Sequence, residues 1–495
     1  MTANAVCPFV VLTALLVVAG CSIPPKPDAP SLRNEAPLAG IMAASGDWPQ
    51  AQWWQRYADA QLDSLEQMGI ASSPSLDQAH KRFNTALRSI DIASAAGGAS
   101  IQANAQVQRQ RLSENGLIPP RFLGFTWYNQ GDLSLQFQYD FDFWGKTRAA
   151  VAAAVDEAHA AEAERSAATL MLTTAIADTY FSWQADQARF AIVKDTVVAL
   201  ERNRQIAAKR AASGIDGPDS VHQADAQIAA AREQAAAYDG AAQIRLAALA
   251  ALLGIAPADL PKLDPKPLPL ITATLPDKIG LDLLARRPDI AANRWRIEAA
   301  MRRVDVARTQ FYPDISLGAM VGLQSVDLDK LLTAGSRMGG IGPALHLPIF
   351  GLGRLRAAYG VSQAQLDAAA AQYDASVVDA ARDVAIQALS LEQIDARRRQ
   401  RAQQLAAAQS LVDTAAARVR RGVSDDRSLL AAQAQVLQQR DAATTLDAQA
   451  VSSEIALIKA LGGGYRMDNI DTAVPAAGND APPHSPTSVE RANSR

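Results

Sequence analysis

Side chains able to do chemistry are few and scattered in this chain. Five histidines, His80, His159, His222, His346 and His484, stand without an H-x-x-x-H or Cys/His spacing that would gather a metal ion. No G-x-S-x-G elbow, phosphate loop or dinucleotide fingerprint lies between elements that would present it. The glycines at 462–464 follow a helical stretch and read as its terminus. These patterns predict no catalysis, no metal and no cofactor.

One thiol is placed for a reaction. An apolar run from Phe9 to Val18 leads into Ala19-Gly20-Cys21 and then into Pro24-Pro25. The run is too short for a membrane span, which needs about 20 apolar residues, and suits a cleaved secretory segment. A small-residue triplet before a cysteine is the bacterial pattern for acylating that thiol. Residues 1–20 therefore read as a lipoprotein signal peptide, although they hold neither Lys nor Arg, and Cys21 as the lipidation site. Cys7 falls in the removed segment, so no intramolecular disulfide is expected. Residues 21–46, rich in Pro, Ala and Ser, read as a flexible lipidated tether, and 466–495 as a disordered tail.

Lys and Arg number 48 against 51 Asp and Glu, a balance that argues against nucleic acid as a partner. The run Arg397, Arg398, Arg399, Arg401 is isolated and reads as a solvated helix face. Asp216, Asp219, Asp425, Asp426 and Arg427 collect where two long helical stretches reverse. They form either a negative constriction that attracts cations or the acidic first turns that a helix dipole favours, with Arg427 pairing one of them. Arg210 and Arg418 each stand four residues before a glycine, Gly214 and Gly422, as contacts for a partner at the tips or as helix C-terminal charges.

The elements that must position these groups are of two kinds. Ala- and Gln-rich helical stretches cover about 146–212, 220–253, 354–421 and 424–461. At 1.5 Å per residue the longer two reach on the order of 100 Å. Large apolar residues are sparse in them, so close coiled-coil packing is expected, with each long helix reversing into a shorter one. Four segments, 99–112, 131–143, 313–325 and 337–349, carry a period of two. Gln102, Asn104, Gln106, Asp132, Gln136, Gln138, Asp140 and Asp142 alternate with Ile101, Ala103, Leu133, Leu135, Phe137 and their like.

Such segments suit outer-membrane barrel strands, apolar toward lipid and polar toward a wet lumen, or a soluble sheet half-buried on helices. Four strands cannot close a barrel, and open sheet edges do not survive in hydrocarbon. Three copies, with about twelve strands, would leave a wet lumen. Residues 113–130 and 325–336 are then extracellular turns, with Phe125, Trp127 and Tyr128 at the interface.

The chain also repeats itself. Setting Gly145 on Gly353 brings Lys146 onto Arg354, Gly214 onto Gly422, Ser220 onto Ser428 and Leu253-Gly254 onto Leu461-Gly462. Two structural repeats, 47–254 and 277–465, are thus joined by a proline-rich connector, 255–276.

Three motifs, LARRPDIAANRWRIEAAMRRVDVARTQFYPDISL (284–317), PIFGLGRLRA (348–357) and IKALGGGY (458–465), resemble the TolC-like outer membrane factor family, in its NodT-type lipoprotein branch, over about residues 47–465. The resemblance implies an α+β membrane protein, a homotrimer whose 12-stranded outer-membrane β-barrel, four strands per protomer, continues into a long periplasmic α-helical barrel. It implies the channel subunit of a tripartite efflux system, passively conducting drugs or toxic solutes from a periplasmic adaptor and inner-membrane pump. Outer membrane lipid is the other expected partner. The family commonly follows an R-Y-x-x-G turn with carboxylates; here Val419 replaces the tyrosine, and Ser428 and Ala431 occupy the usual acidic positions. Asp425, Asp426, Arg427, Asp216 and Asp219 are therefore the candidate periplasmic gate, and Arg210, Gly214, Arg418 and Gly422 the candidate adaptor contacts. The exit duct of type I secretion, or a lipid-anchored periplasmic coiled-coil protein without a pore, are the alternatives.

Overall fold

In a computed structural model, residues 23–38, 46–115, 119–271, 275–276, 279–348 and 351–466 are described; the signal segment, Cys21 and residues 467–495 lie outside them. Alanine-rich sequence without interior proline gives two very long helices, α4 (Lys146–Ala212, 67 residues) and α8 (Leu352–Arg420, 69 residues). Each reverses into a 35-residue partner, α5 (Asp219–Leu253) and α9 (Asp426–Ala460). Shorter helices complete the two halves: α1 (Ala60–Ser72) and α2 (Pro74–Ala95) ahead of α4, and α6 (Ile279–Arg286) and α7 (Pro288–Thr309) ahead of α8. A single turn, α3 (Pro120–Leu123), lies in the loop between the first two strands.

Both long helices begin after a glycine in the left-handed conformation, Gly145 (φ 78°) and Gly351 (φ 93°). The second start is two residues ahead of Gly353, on which the repeat had been set. The two additional residues of α8 absorb that slip, so the tips return to register at Gly214 (φ 67°) and Gly422 (φ 69°). The same reversal closes each tip, Ile215 N–H donating to Arg210 O at 2.9 Å and Val423 N–H to Arg418 O at 3.0 Å.

At the opposite end of the long helices, β1 (Ser100–Arg111), β2 (Trp127–Asp140), β3 (Asp314–Ser325) and β4 (Arg337–His346) form one antiparallel sheet in the order β1-β2-β3-β4. The second strand starts earlier than the alternation suggested: residues 127–130, assigned to a loop, pair with β1, Trp127 opposite Arg111. Asp142 was expected to face inward with the strand carboxylates. Instead it accepts the Thr147 and Arg148 amides (3.1 and 3.0 Å), satisfying donors that the start of α4 leaves open. Ile349, part of the expected fourth strand, lies outside the described residues.

The core sits where the shorter helices and the connector meet α4, α7, α8 and α9, and is built on Trp53, Trp54, Leu62, Ile176, Tyr180, Leu253, Leu283, Ile297 and Ile458. The connector is fixed there by polar groups. Lys266 Nζ reaches Asp59 Oδ1 at 2.7 Å, the Tyr180 hydroxyl donates to the same carboxylate at 2.6 Å, and the Lys266 amide donates to Gln184 at 2.6 Å.

Residues 23–38, read from composition as part of a flexible tether, lie against α7 and α8. Arg308 Nε donates to Pro24 O (3.0 Å), Tyr359 Oη to Pro25 O (2.7 Å) and Tyr373 Oη to Arg33 O (3.3 Å), while the Arg33 amide donates to Asp374 (3.0 Å). Proline keeps such a segment extended with its carbonyls free, and donors on the two helices take them.

Candidate channel surfaces and tip latch

The sheet register keeps every strand's alternation in phase. Ile101, Phe137, Ala319 and Ile341 lie in one cross-strand row, and Ala103, Leu135, Val321 and Gly339 in the next row of that face. Gln102, Gln136, Met320 and Gly340 make up a row on the other face. Gln102, Asn104, Gln106, Asp132, Gln136, Gln138 and Asp140 all share this second face, where polar neighbours two apart along a strand bond one another: Gln130 to Asp132 at 3.1 Å and Gln138 to Asp140 at 3.2 Å. The first face leaves Ile101, Val107, Leu135, Val321, Ile341 and Leu345 more than half exposed on the protomer. β1 and β4 each have one unpaired edge.

At the far ends of the helices, four charged side chains join the two tips. Arg210 grips Asp216 with two nitrogens, Nε to Oδ2 at 2.7 Å and Nη2 to Oδ1 at 3.1 Å. Arg427 of the second tip reaches the same Oδ2 at 3.2 Å, and Arg210 lies 3.8 Å from Asp425. The hydrogen bond and charge of Arg210, and after them the nearby charge of Arg427, hold the Asp216 carboxyl below its ordinary pKa. Arg210 is thus paired inside the protomer, with 31% of its side chain still exposed at the tip. Asp425 is the N-cap of α9 but makes no capping hydrogen bond; Asp219 and Asp426 occupy first turns, where the dipole favours them.

The tips are not equivalent. The place of Asp216 is taken by Ser424 in the second tip, and among the described residues no carboxylate lies within ion-pair distance of Arg418. Gly214 and Gly422 both have open space around the position a Cβ would take. The sequence pattern expected Arg427 to pair with one of these acids and left open which; the structure gives Asp216 of the other tip, 211 residues away.

The motifs 284–317 and 458–465 meet each other. Arg287, only 11% exposed, holds Asp289 at 2.7 Å and Asp383 at 3.6 Å and donates to the Ala460 carbonyl at the end of α9 (3.1 Å). Gly462, at φ 89°, passes so close that a Cβ would come within 1.8 Å of Arg286 O. The glycine run is therefore a seat for the neighbouring backbone as well as a helix terminus. Further arginines of the first motif stitch α7 to α4, Arg303 to Glu157 at 3.0 Å, Arg302 to Asp156 at 3.7 Å, and Arg296 to Glu164.

Comparison with known proteins agrees with this geometry. The outer membrane efflux protein family matches residues 65–255 and 281–463. The multidrug resistance outer membrane protein MdtP of Escherichia coli is 34% identical over 467 residues, spanning 92% of this chain and 96% of that protein. MdtQ of Escherichia coli O157:H7, also described as a multidrug resistance outer membrane protein, is 31% identical over 407 residues, 79% of this chain and 84% of its own. Among solved structures, the outer membrane protein VceC of Vibrio cholerae superposes with a TM-score of 0.75 at 36% identity, covering 84% of this chain and all of that one. The outer-membrane channel OprN gives 0.79 at 25% identity over 90% and 99% of the two chains. Two matched segments spanning most of the chain, a relative above 30% identity over nearly its full length, and one sheet on paired helical hairpins together establish that this chain belongs to the outer membrane efflux protein family.

Proposed function

We propose that three copies form a passive duct through the outer membrane and periplasm, the channel subunit of a tripartite efflux system for drugs or toxic solutes. A periplasmic adaptor and an inner-membrane pump would supply delivery and energy, and the helix tips, with Gly214, Gly422 and the free Arg418, would meet the adaptor. The observation that carries this reading is a four-stranded sheet with one largely apolar face, two free edges and, below it, hairpins whose long helices run 67 and 69 residues. Free edges find partners in hydrocarbon only by closing a cylinder with further copies. In that cylinder the face with Gln102, Asn104, Gln106, Asp132, Gln136, Gln138 and Asp140 lines water.

The tip cluster of Arg210, Asp216, Asp425 and Arg427 is the latch that holds the periplasmic end narrow, with Asp219 and Asp426 beside it. The lipid on Cys21 anchors the assembly at membrane level. Pro24 is held by Arg308, one residue before α7 ends, and the chain enters β3 five residues beyond that end, at Asp314. Cys21 precedes Pro24 by three residues, at most about 11 Å of extended chain.

Planar-bilayer recording of the purified full chain tests the reading. The wild type is expected to form trimers of low conductance, and Arg427→Ala with Asp216→Asn to raise the conductance several-fold. Absence of any current from both proteins would sink the duct and favour a lipid-anchored spacer without a pore.

A further inference from the structure

The apolar face of the sheet ends in arginine. Following the odd-numbered residues of β1 from Ile101 through Val107 leads to Arg109 and Arg111, and the matching position at the start of β4 is Arg337. All three guanidinium-bearing residues are exposed, and they stand at the loop end of the sheet, away from the helices. Trp127, opposite Arg111, lies on the same face and is 53% exposed, with Arg109 5.5 Å from its ring centre. Nearby in the loop, Phe122 is 71% exposed beneath Arg121. The acid facing this group is Glu114, 3.9 Å from Arg111 and itself 78% exposed.

Closure of the barrel brings these residues together. The free edge of β4 in one copy must pair with the free edge of β1 in the next. A ten-residue strand that lies wholly alongside a twelve-residue one, apolar face matched to apolar face, has two possible registers; these set Arg337 opposite Arg111 or opposite Arg109. Like charges directly opposite across strands repel, and an unpaired guanidinium at a lipid boundary is costly. An anion between them relieves both costs. A phosphate accepts from the arginine fork on each side, and acyl chains beside it cover Trp127 and the apolar rows below.

Because the loop end faces away from the periplasmic helices, the phosphate must come from the outer leaflet. We infer that each seam between protomers binds a phosphorylated glycolipid headgroup of the outer leaflet, through Arg109 and Arg111 of one copy and Arg337 of the next. The inference rests on the trimeric duct proposed above.

Native mass spectrometry of the full chain, in detergent with bisphosphorylated lipid A or with lipid A stripped of both phosphates, tests it. The wild-type trimer is expected to retain up to three bisphosphorylated molecules and at least tenfold less of the stripped form. R109Q/R111Q/R337Q should lose that retention at least tenfold, while R109K/R111K/R337K keeps most of it. R337Q alone, which changes one side of the seam, guards against misfolding of the triple variant and should show a several-fold loss. A wild-type spectrum without trimers overturns the duct itself. Trimers that hold both lipids equally, bind phosphatidylglycerol as well as lipid A, or are unaffected by R337Q overturn the headgroup site and leave the duct standing.

Discussion

Asp216 is the residue on which both tips converge, and in the proposed latch its charge decides whether Arg210 and Arg427 stay bound to it. Its pKa is lowered in the folded protein, so the latch contributes fully above the ordinary carboxylate range of about 4 and is lost as pH falls through the lower folded value. Single-channel recording is expected to find the wild type narrow from neutral pH down to about 4 and wider below it. Asp216→Asn should be wide at neutral pH and nearly insensitive over the same range. Glu66 runs the other way. It is fully buried on α1, neither of its oxygens has a hydrogen-bond partner, and burial followed by the charge of Asp63 pushes its pKa up to about 9. Raised above its unfolded value, this carboxyl costs stability progressively as pH climbs from the ordinary carboxylate range toward 9. Glu66→Gln should therefore resist denaturant better than wild type at pH 8, by at least about 1 kcal/mol, and match it near pH 4. Which acids were available was legible in the sequence. Which of them were paired, buried or left alone was not, since burial is set by elements far away along the chain.

At the scale of elements, helix ends were legible where glycine or proline marks them, because only glycine enters the left-handed conformation that stops and starts these helices cheaply. The register of the repeat holds through both long helices, and α8 simply starts two residues before the position equivalent to Lys146, because Gly351 rather than Gly353 takes the left-handed conformation. The segment 23–38 misled because composition reports what a segment can do alone, whereas tyrosine and arginine donors on α7 and α8 hold it down. Gly462→Ala would drive a Cβ into the Arg286 carbonyl and force an alanine to φ 89°. It should reduce folded protein recovered from the outer membrane far more than Gly217→Ala, which has open space, a contrast that detergent-resistant assembly on gels would read. Within the sheet, Leu135→Arg on the apolar face should cost about 2–4 kcal/mol of barrel stability near the bilayer centre. Gln136→Arg, one residue on and on the other face, should be tolerated; equal losses in urea titrations of refolded protein would contradict the assignment of faces.

On the scale of the whole molecule, the free strand edges make a prediction about closure. Ile341→Cys combined with Val107→Cys or with Ala105→Cys tests the two registers open to the seam, and one of these pairs should form disulfides between copies. Gels without reductant should then show a ladder ending at three copies; a ladder continuing to four or more would refute the trimer. By itself the sequence determined the classes of element, their doubling, and a sheet with one greasy and one polar face, because these follow from local periods of 3.6 and 2 and from glycine placement. Tertiary structure alone decided that Arg427 crosses to Asp216, that the glycine run seats the Arg286–Arg287 backbone, and that the N-terminal segment is strapped to the helices. Those contacts join residues far apart in the chain, 211 positions for Arg427 and Asp216 and 284 for Arg308 and Pro24, and their geometry is fixed only once the long helices have packed side by side.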